Sequence, residues 1–292
     1  LRSGFVAVAG RPNVGKSTLV NTLAGEKVAI VSDKPQTTRR RISAVVNGEA
    51  DDGRFQLVLV DLPGFQRPRD ALTERMQRTV DETLADVDAF LFVLSAAESI
   101  GAGDRFIAER IFAAGPPVVI ALNKVDRANP GRIAEQITEA AMLGDFHALH
   151  PISALKADGL DPLLQDLVAL LPEGPAYFDD ETRTDLPLEA RIAEIVREKA
   201  LALTREEIPH AISVEVDELD LEKGRVRALV WVETESQKGI LIGKGGSMIK
   251  TIGIRARQEI EALLGRKVFL DLGVKVRPSW RRDVGALERL GI

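Results

Sequence analysis

One stretch constrains the fold more than any other: Gly10-Arg11-Pro12-Asn13-Val14-Gly15-Lys16-Ser17, a GxxxxGKS pattern. An apolar run with strand character, Phe5 to Ala9, precedes it. Thr18-Leu19-Val20-Asn21-Thr22-Leu23-Ala24, with helical spacing, follows. Strand, glycine loop and helix in that order make a phosphate site. Gly10 and Gly15 let the backbone curl so that successive N–H groups point at phosphate oxygens. The helix that starts near Lys16 adds its positive end. Lys16 is placed to reach β- and γ-phosphates, and the Ser17 hydroxyl to sit on Mg²⁺.

The loop after the first helix, Ser32 to Arg41, is polar and without period. Its place between the phosphate loop's helix and the next strand is that of a nucleotide switch, in which a threonine hydroxyl completes Mg²⁺ coordination when a γ-phosphate is present. Thr38 is favoured over Thr37. Ile42 to Val46 and Gln56 to Val60 read as strands joined by a turn from Asn47-Gly48 to Gly53, and the second ends in Asp61-Leu62-Pro63-Gly64. Asp61 at a strand's C-terminal end can hold Mg²⁺ through a water. Gly64 leaves room for its N–H to approach a γ-phosphate.

Ala89 to Leu94 and Pro117 to Leu122 are continuous apolar runs, alternating with amphipathic stretches near 73–85, 103–114 and 133–143. That alternation predicts an α/β fold with a mostly parallel sheet covered on both faces and ligands at the strands' C-terminal ends. Asn123-Lys124-Val125-Asp126 stands directly after the second run. Asp126 can accept from the two N–H groups of guanine's Watson–Crick edge, Asn123 can brace the loop, and the Lys124 stem can cover the base. After a short strand, His147 to Ile152, comes Ser153-Ala154-Leu155, where the Ala154 N–H is placed for guanine O6.

Composition matters mainly for the second half. The 292 residues suffice for two domains, and 45% hydrophobic with 28% charged residues at a mean hydropathy of −0.01 suits a protein with a substantial core. No apolar run reaches the roughly 18 residues of a bilayer span, and no stretch near Leu1 reads as a signal peptide. A start at Leu1 rather than Met leads us to expect further residues upstream. Without cysteine there is no disulfide or thiolate metal site. His147, His150 and His210 read as surface or capping residues. From Ser236 to Ile292 there are 12 Lys and Arg against 5 Asp and Glu, a balance of +7 within a net −5, which leaves −12 for residues 1–235. A basic tail on an acidic chain suggests a polyanion partner.

Leu171-Pro172-Glu173-Gly174-Pro175 marks a boundary after a last helix at 160–171, and Asp179 to Pro187 reads as a polar linker. The expected domains are 1–172, a linker at 173–187, and 188–292. The second opens with a helix, Leu188 to Leu203, then strands Ala211 to Glu218 and Arg225 to Glu233, a glycine loop between helices, and a strand from Lys267 to Val276. The loop, Gly243-Lys244-Gly245-Gly246 after Ile242, has the form that clamps about four single-stranded nucleotides, with Lys244 and Lys250 supplying charge.

The motifs GRPNVGKS, QTTRR, DLPG, NKVD and SAL, over residues 10–155, resemble the five elements of translation-factor-like GTPases. With the GxxG loop the whole chain resembles the Era family of bacterial ribosome-assembly GTPases, including residues 203–210, Trp280, and Leu287 to Ile292. Leu62 stands where the family usually has Thr, and Ile292 where Tyr is usual. The resemblance implies a P-loop GTPase domain followed by an α+β type II KH domain. It implies GTP hydrolysis with GTP/GDP and Mg²⁺ bound. It implies binding near the 3′ end of small-subunit ribosomal RNA during small ribosomal subunit maturation. It further implies a cytoplasmic monomer with peripheral attachment at the inner face of the membrane. Gly10 to Thr18, Asp61 to Gly64, Asn123, Lys124, Asp126 and Ser153 to Leu155 are the expected nucleotide contacts. Ser17, Thr38 and Asp61 are the expected metal ligands, and Lys16, Thr38 and Gly64 the catalytic set. Ile242 to Gly246 and Lys250 are the expected RNA contacts. Asn13 matches the position that helps bind K⁺ in related GTPases. Phe65 stands where Ras-like enzymes place a water-orienting glutamine, so unassisted turnover should be on the order of 10⁻⁴ to 10⁻² s⁻¹. Two other readings are a P-loop ATPase or small-molecule kinase, which Asp126 opposes, and a non-catalytic RNA-binding protein with a structural nucleotide, which the threonine loop opposes.

Overall fold

The computed structural model describes residues 1–32, 34, 37–50, 53–65, 68–204 and 208–292. Asp33, Pro35 and Gln36 of the expected switch loop, Asp51 and Asp52 of the expected turn, and Arg205, Glu206 and Glu207 lie outside the described residues. Two compact units emerge. The first takes Leu1–Ala29, Pro35–Arg67 and Met76–Asp185; the second takes Ile30–Lys34, Pro68–Arg75 and Leu186–Ile292.

The first half of the chain runs β1 (Arg2–Ala9), α1 (Lys16–Ala24), β2 (Ile42–Ala50), β3 (Gly53–Asp61), α2 (Ala71–Ala85), β4 (Ala89–Ser95), α3 (Ala102–Ala114), β5 (Val118–Asn123), α4 (Pro130–Ala140), β6 (Ala148–Pro151) and α5 (Leu160–Ala169). The strands form one sheet in the order β2-β3-β1-β4-β5-β6. Only β2 is antiparallel to its neighbour. Every residue of β4 and β5 is buried, as a strand covered on both faces requires. Alternate side chains feed two cores. Val6, Val8, Leu91 and Val93 pack with Leu19 of α1 and Leu163 and Leu167 of α5. Ala7, Ala9, Phe90 and Phe92 pack with Val80 of α2, Ile107 and Ile111 of α3 and Ala140 of α4. Truncating one of these large side chains to alanine costs about 2–5 kcal/mol. The result aims the loops after β1, β3 and β5 at one end of the sheet.

Three expectations need correction. Asn47 and Gly48 are not in a turn: β2 continues to Ala50, with Asn47 opposite Gln56 and Gly48 opposite Phe55. Glycine serves there because a Cβ would lie 2.6 Å from the Phe55 ring. The stretch read as a polar linker is in part tied to the outer edge of β2. The Val45 N–H donates to the Arg183 carbonyl at 2.9 Å, Ser43 donates through N–H and hydroxyl to Asp185, and Thr184 bridges to Ala44. The Tyr177 and Phe178 N–H groups donate to the Gln56 side chain. Finally, His150 is only partly exposed: its ring, 17% exposed, pairs with Asp166 at 2.7 Å.

The second unit contains α6 (Leu188–Leu203), α7 (Ile208–Ala211), β7 (Ser213–Asp220), β8 (Arg225–Val232), α8 (Glu235–Ile242), α9 (Ser247–Leu264), β9 (Phe269–Val276) and α10 (Val284–Arg289). β7 pairs antiparallel and β9 parallel to the central β8. Ile192 and Val196 of α6, Ile252, Ala256 and Ile260 of α9, and Val226, Ala228 and Val230 of β8 form its core. Thr234 starts α8 with a capping box closed by Gln237, which sets where the glycine loop falls. Within this unit the Val31 N–H donates to Glu198 of α6 at 2.9 Å, and the Trp280 indole donates to the Ala211 carbonyl at 2.9 Å.

Candidate nucleotide and nucleic-acid sites

The phosphate loop is shaped by what surrounds it. Gly10 (φ +150) and Gly15 (φ +100) have no room for a side chain: a Cβ would lie 2.5 Å from the Val93 carbonyl oxygen and 2.3 Å from Asn123 Nδ2, respectively. Lys16 opens α1 and donates through Nζ to the carbonyls of Gly10 (2.8 Å) and Arg11 (2.9 Å). Enclosure of its ammonium lowers its pKa, and nearby Asp61 offsets part of this. Asp61, 0% exposed at the end of β3, is raised by burial, which Lys16 and the hydroxyls of Ser17 and Thr38 counter. Both hydroxyls converge on one oxygen: Ser17 Oγ donates to Asp61 Oδ2 at 3.0 Å and Thr38 Oγ1 at 3.2 Å. The other oxygen, Oδ1, is buried and has no partner among the described residues. Thr38 is thus the threonine brought to Asp61.

Not every expected contact points at the same place. Leu62 and Pro63 are buried, Leu62 within the second core. A Cβ on Gly64 would lie 3.9 Å from Pro12 Cγ, so the backbone there runs beside the phosphate loop. Thr18 sits in α1, its carbonyl accepting from Thr22. The Arg11 side chain turns away to α3.

At the guanine end, Asn123 is a hub. Its Nδ2 donates to the Val14 carbonyl at 2.8 Å, while Oδ1 accepts from the N–H groups of Lys124 (2.8 Å) and Ala154 (2.9 Å). The Ala154 donor expected for guanine O6 is therefore engaged by Asn123 here. Lys124 Nζ donates to the Asn13 carbonyl. Asp126 accepts from the Ser153 hydroxyl at 2.7 Å, which holds its carboxyl below the ordinary range. Leu155 is 69% exposed.

The second unit's loop contrasts in build. Gly243 (φ +73), Gly245 (φ +60) and Gly246 (φ +78) are left-handed, and a Cβ on Gly245 or Gly246 would meet nothing within 4 Å. Lys244 to Gly246 form a 3₁₀ turn after Ile242, just ahead of α9. Beside Lys250 runs a groove of about 260 Å³, lined by Ile249, Lys250, Gly253, Ile254 and Arg257 of α9 and Leu270 and Leu272 of β9. The sequence led us to expect the loop and an apolar groove beside it for the bases, but not the residues that line the groove. Its one signal was helical spacing: Lys250, Ile254 and Arg257 recur at intervals of four and three.

A family model described as 50S ribosome-binding GTPase matches residues 5–124, and a KH domain model matches residues 207–281. The chain is 44% identical to GTPase Era of Staphylococcus epidermidis over 293 aligned positions, covering 99% of this chain and 97% of that protein. A crystal structure of an Aquifex aeolicus Era variant bound to GDP and tetrafluoroaluminate superposes with a TM-score of 0.93 at 39% identity, covering 100% of this chain and 99% of that one. A crystal structure of Era with MgGDPNP and nucleotides 1506–1542 of 16S ribosomal RNA gives the same TM-score of 0.93, identity of 39% and coverage of 100% and 99%.

Proposed function

The chain belongs to the Era family of GTPases, and from that premise we propose that its GTP switch governs binding of single-stranded RNA at the 3′ end of small-subunit ribosomal RNA during small-subunit maturation. The enzyme hydrolyses GTP to GDP and phosphate. Ser17, Thr38 and Asp61 fit Mg²⁺, since two hydroxyls and a carboxylate converge and the buried Asp61 Oδ1 keeps a free acceptor face. Bound there, Mg²⁺ would neutralise charge on the β- and γ-phosphate oxygens. Lys16 adds a cation to the same phosphates, and the Gly64 N–H meets the γ-phosphate. The backbone N–H groups from Asn13 to Thr18 line the phosphate path. Asp126, steadied by Ser153, takes the guanine edge. Phe65 packs against the second core and offers no hydrogen bond to an attacking water, which supports slow unassisted turnover.

One observation carries the RNA half. At Gly245 and Gly246 the loop is open on its outer side, whereas Gly243 is packed against Met248, and an apolar groove flanked by Lys250 and Arg257 runs along α9. An open glycine turn admits a sugar-phosphate backbone, and the groove accepts unstacked bases. Affinity should be measured for an oligonucleotide with the 3′-terminal sequence of bacterial small-subunit ribosomal RNA and for a scrambled one, each with a non-hydrolysable GTP analogue and with GDP. Preference for the native sequence and a difference between nucleotide states support the proposal. Equal binding throughout refutes it. Reciprocity then requires RNA to change GTP affinity by the same factor.

Left-handed Asn13 (φ +66) at the outer turn of the phosphate loop is compatible with a K⁺ that adds charge there; equal turnover in K⁺ and Na⁺ removes that idea. We place the protein in the cytoplasm as a monomer, attached peripherally to the membrane's inner face through its basic tail. No helix among the described residues is long and apolar enough to cross a membrane.

A further inference from the structure

The outer curve of the phosphate loop is held from behind by charges that no nucleotide contact requires. Arg11 Nε donates to Asp104 Oδ1 at 2.8 Å, and Asp104 is 1% exposed. The other oxygen of that carboxylate accepts from the Gly101 N–H at 2.9 Å, which caps α3. Arg11 Nη2 lies 3.6 Å from Glu98 and 3.4 Å from the Ser99 carbonyl. Glu98 in turn faces Lys124 Nζ at 3.6 Å, and Lys124 donates to the Asn13 carbonyl. The loop is thus clipped at both shoulders, Arg11 and Asn13, with Glu98 between the two cations. The arginine also has a fitted seat. A Cβ on Gly103 would lie 2.8 Å from Arg11 Cδ and 3.4 Å from Cγ, so the stem crosses α3 where the helix has no side chain.

The curve so held supplies the carbonyls, of Gly10 and Arg11, that receive Lys16 Nζ. It also contains two positive-φ residues, Gly10 and Asn13, whose strain must be balanced by surrounding structure before any ligand arrives. We propose that Arg11, seated by Asp104 and Gly103, is a positioning residue for GTP binding and hydrolysis: it fixes the loop backbone that aims Lys16. A carboxylate serving only to cap α3 needs no cation against its second oxygen. A surface arginine serving only solubility needs no glycine seat. Pre-organisation of this kind lowers the cost of binding and keeps the reacting groups in line.

The decisive variant is Gly103→Ala, which removes no charge and improves helix propensity. It should leave the melting temperature unchanged or higher, yet speed dissociation of a fluorescent GDP by about tenfold, a factor within the range expected for coupling between touching residues. Arg11→Ala should do the same, and Arg11→Lys should recover part of the loss. In the Arg11→Ala background Gly103→Ala should have no further effect on dissociation, because the stem it displaces is gone. Single-turnover GTP hydrolysis at saturation should fall along with affinity in each single variant. Two results overturn the proposal: a dissociation rate unmoved by Gly103→Ala, and effects of the two substitutions that multiply. If Arg11→Ala does not fold, Arg11→Lys replaces it as the background, and Gly103→Ala must then show a weaker effect than in the native chain.

Discussion

The phosphate loop and the Gly243–Gly246 loop both place glycines ahead of a helix, yet their glycines answer to different neighbours. Gly10 and Gly15 are dictated by the protein itself, because Val93 and Asn123 occupy the space of a Cβ. Gly245 and Gly246 have empty space outside them and are dictated by backbone φ and by whatever docks. The first site also buries its charges: Lys16 and Asp61 are both shifted toward neutrality by enclosure. In the second, Lys244 stands exposed and Lys250 borders an open groove. A small, invariant ligand end can be matched by a finished mould. A flexible polymer is better served by an open turn that the polymer itself completes.

Four tests probe that contrast. Gly15→Ala drives a methyl into Asn123, the hub of both halves of the nucleotide site, and should weaken GDP binding by more than about a hundredfold. RNA binding without nucleotide should be unaltered; a mild loss of GDP affinity would show the mould to be soft. Gly245→Asp should abolish RNA binding by setting a carboxylate beside phosphate, while Gly245→Ala should retain most of it and cost only about 1 kcal/mol through its left-handed φ. Both keep nucleotide affinity, measured by titration without RNA, at the native value. If Gly245→Ala is as damaging as Gly245→Asp, the loop is as closely fitted as the first.

The third concerns pH. The folded Asp61 pKa is raised, so the folded state binds more protons than the unfolded one between 3.8 and that raised value, and stability conferred at this site falls as pH rises through the window. Asp61→Asn has no such titration. Melting of the nucleotide-free variant should therefore improve relative to the native chain as pH climbs above 3.8, with Mg²⁺-dependent GTP binding lost. A difference constant with pH would mean that Asp61 is not penalised by burial. The smallest effect is expected of Phe65→Gln, less than about tenfold in turnover, since the protein's share of phosphoryl transfer is mostly positioning and charge.

Much of the first site was legible because each motif sits at the end of a strand that announces itself by composition: Asp61 ends β3, and Asn123 ends β5 ahead of Lys124 to Asp126. What escaped was whatever depends on distant chain. Asp104 meets Arg11 across 93 positions, and nothing local in either marks the pair. Asn47-Gly48 carries a strong local hairpin signal, but the register of β2 on β3 overrides it. The Arg39-Arg40-Arg41 run reads from sequence either as a solvated loop or as cations that an ordered switch loop repositions relative to the KH domain or its RNA. In the structure Arg39 is 4% exposed, and Arg41 lies 5.9 Å over the Phe5 ring. Aperiodic residues 177–185 look like a tether because most of their hydrogen bonds go to β2 and β3, far along the chain.

That last attachment has a consequence for the protein's behaviour as a material. β2 ends the six-stranded sheet, and an edge strand offers unpaired N–H and C=O groups to any other extended chain. Here the Val45 N–H and the Ser43 N–H are taken by Arg183 and Asp185. The segment that leads to the KH domain is therefore also the guard of a sticky edge. Whatever lifts it, whether a cut, a truncation or a mutation at Asp185, should turn a discrete molecule into one that associates with its own copies edge to edge.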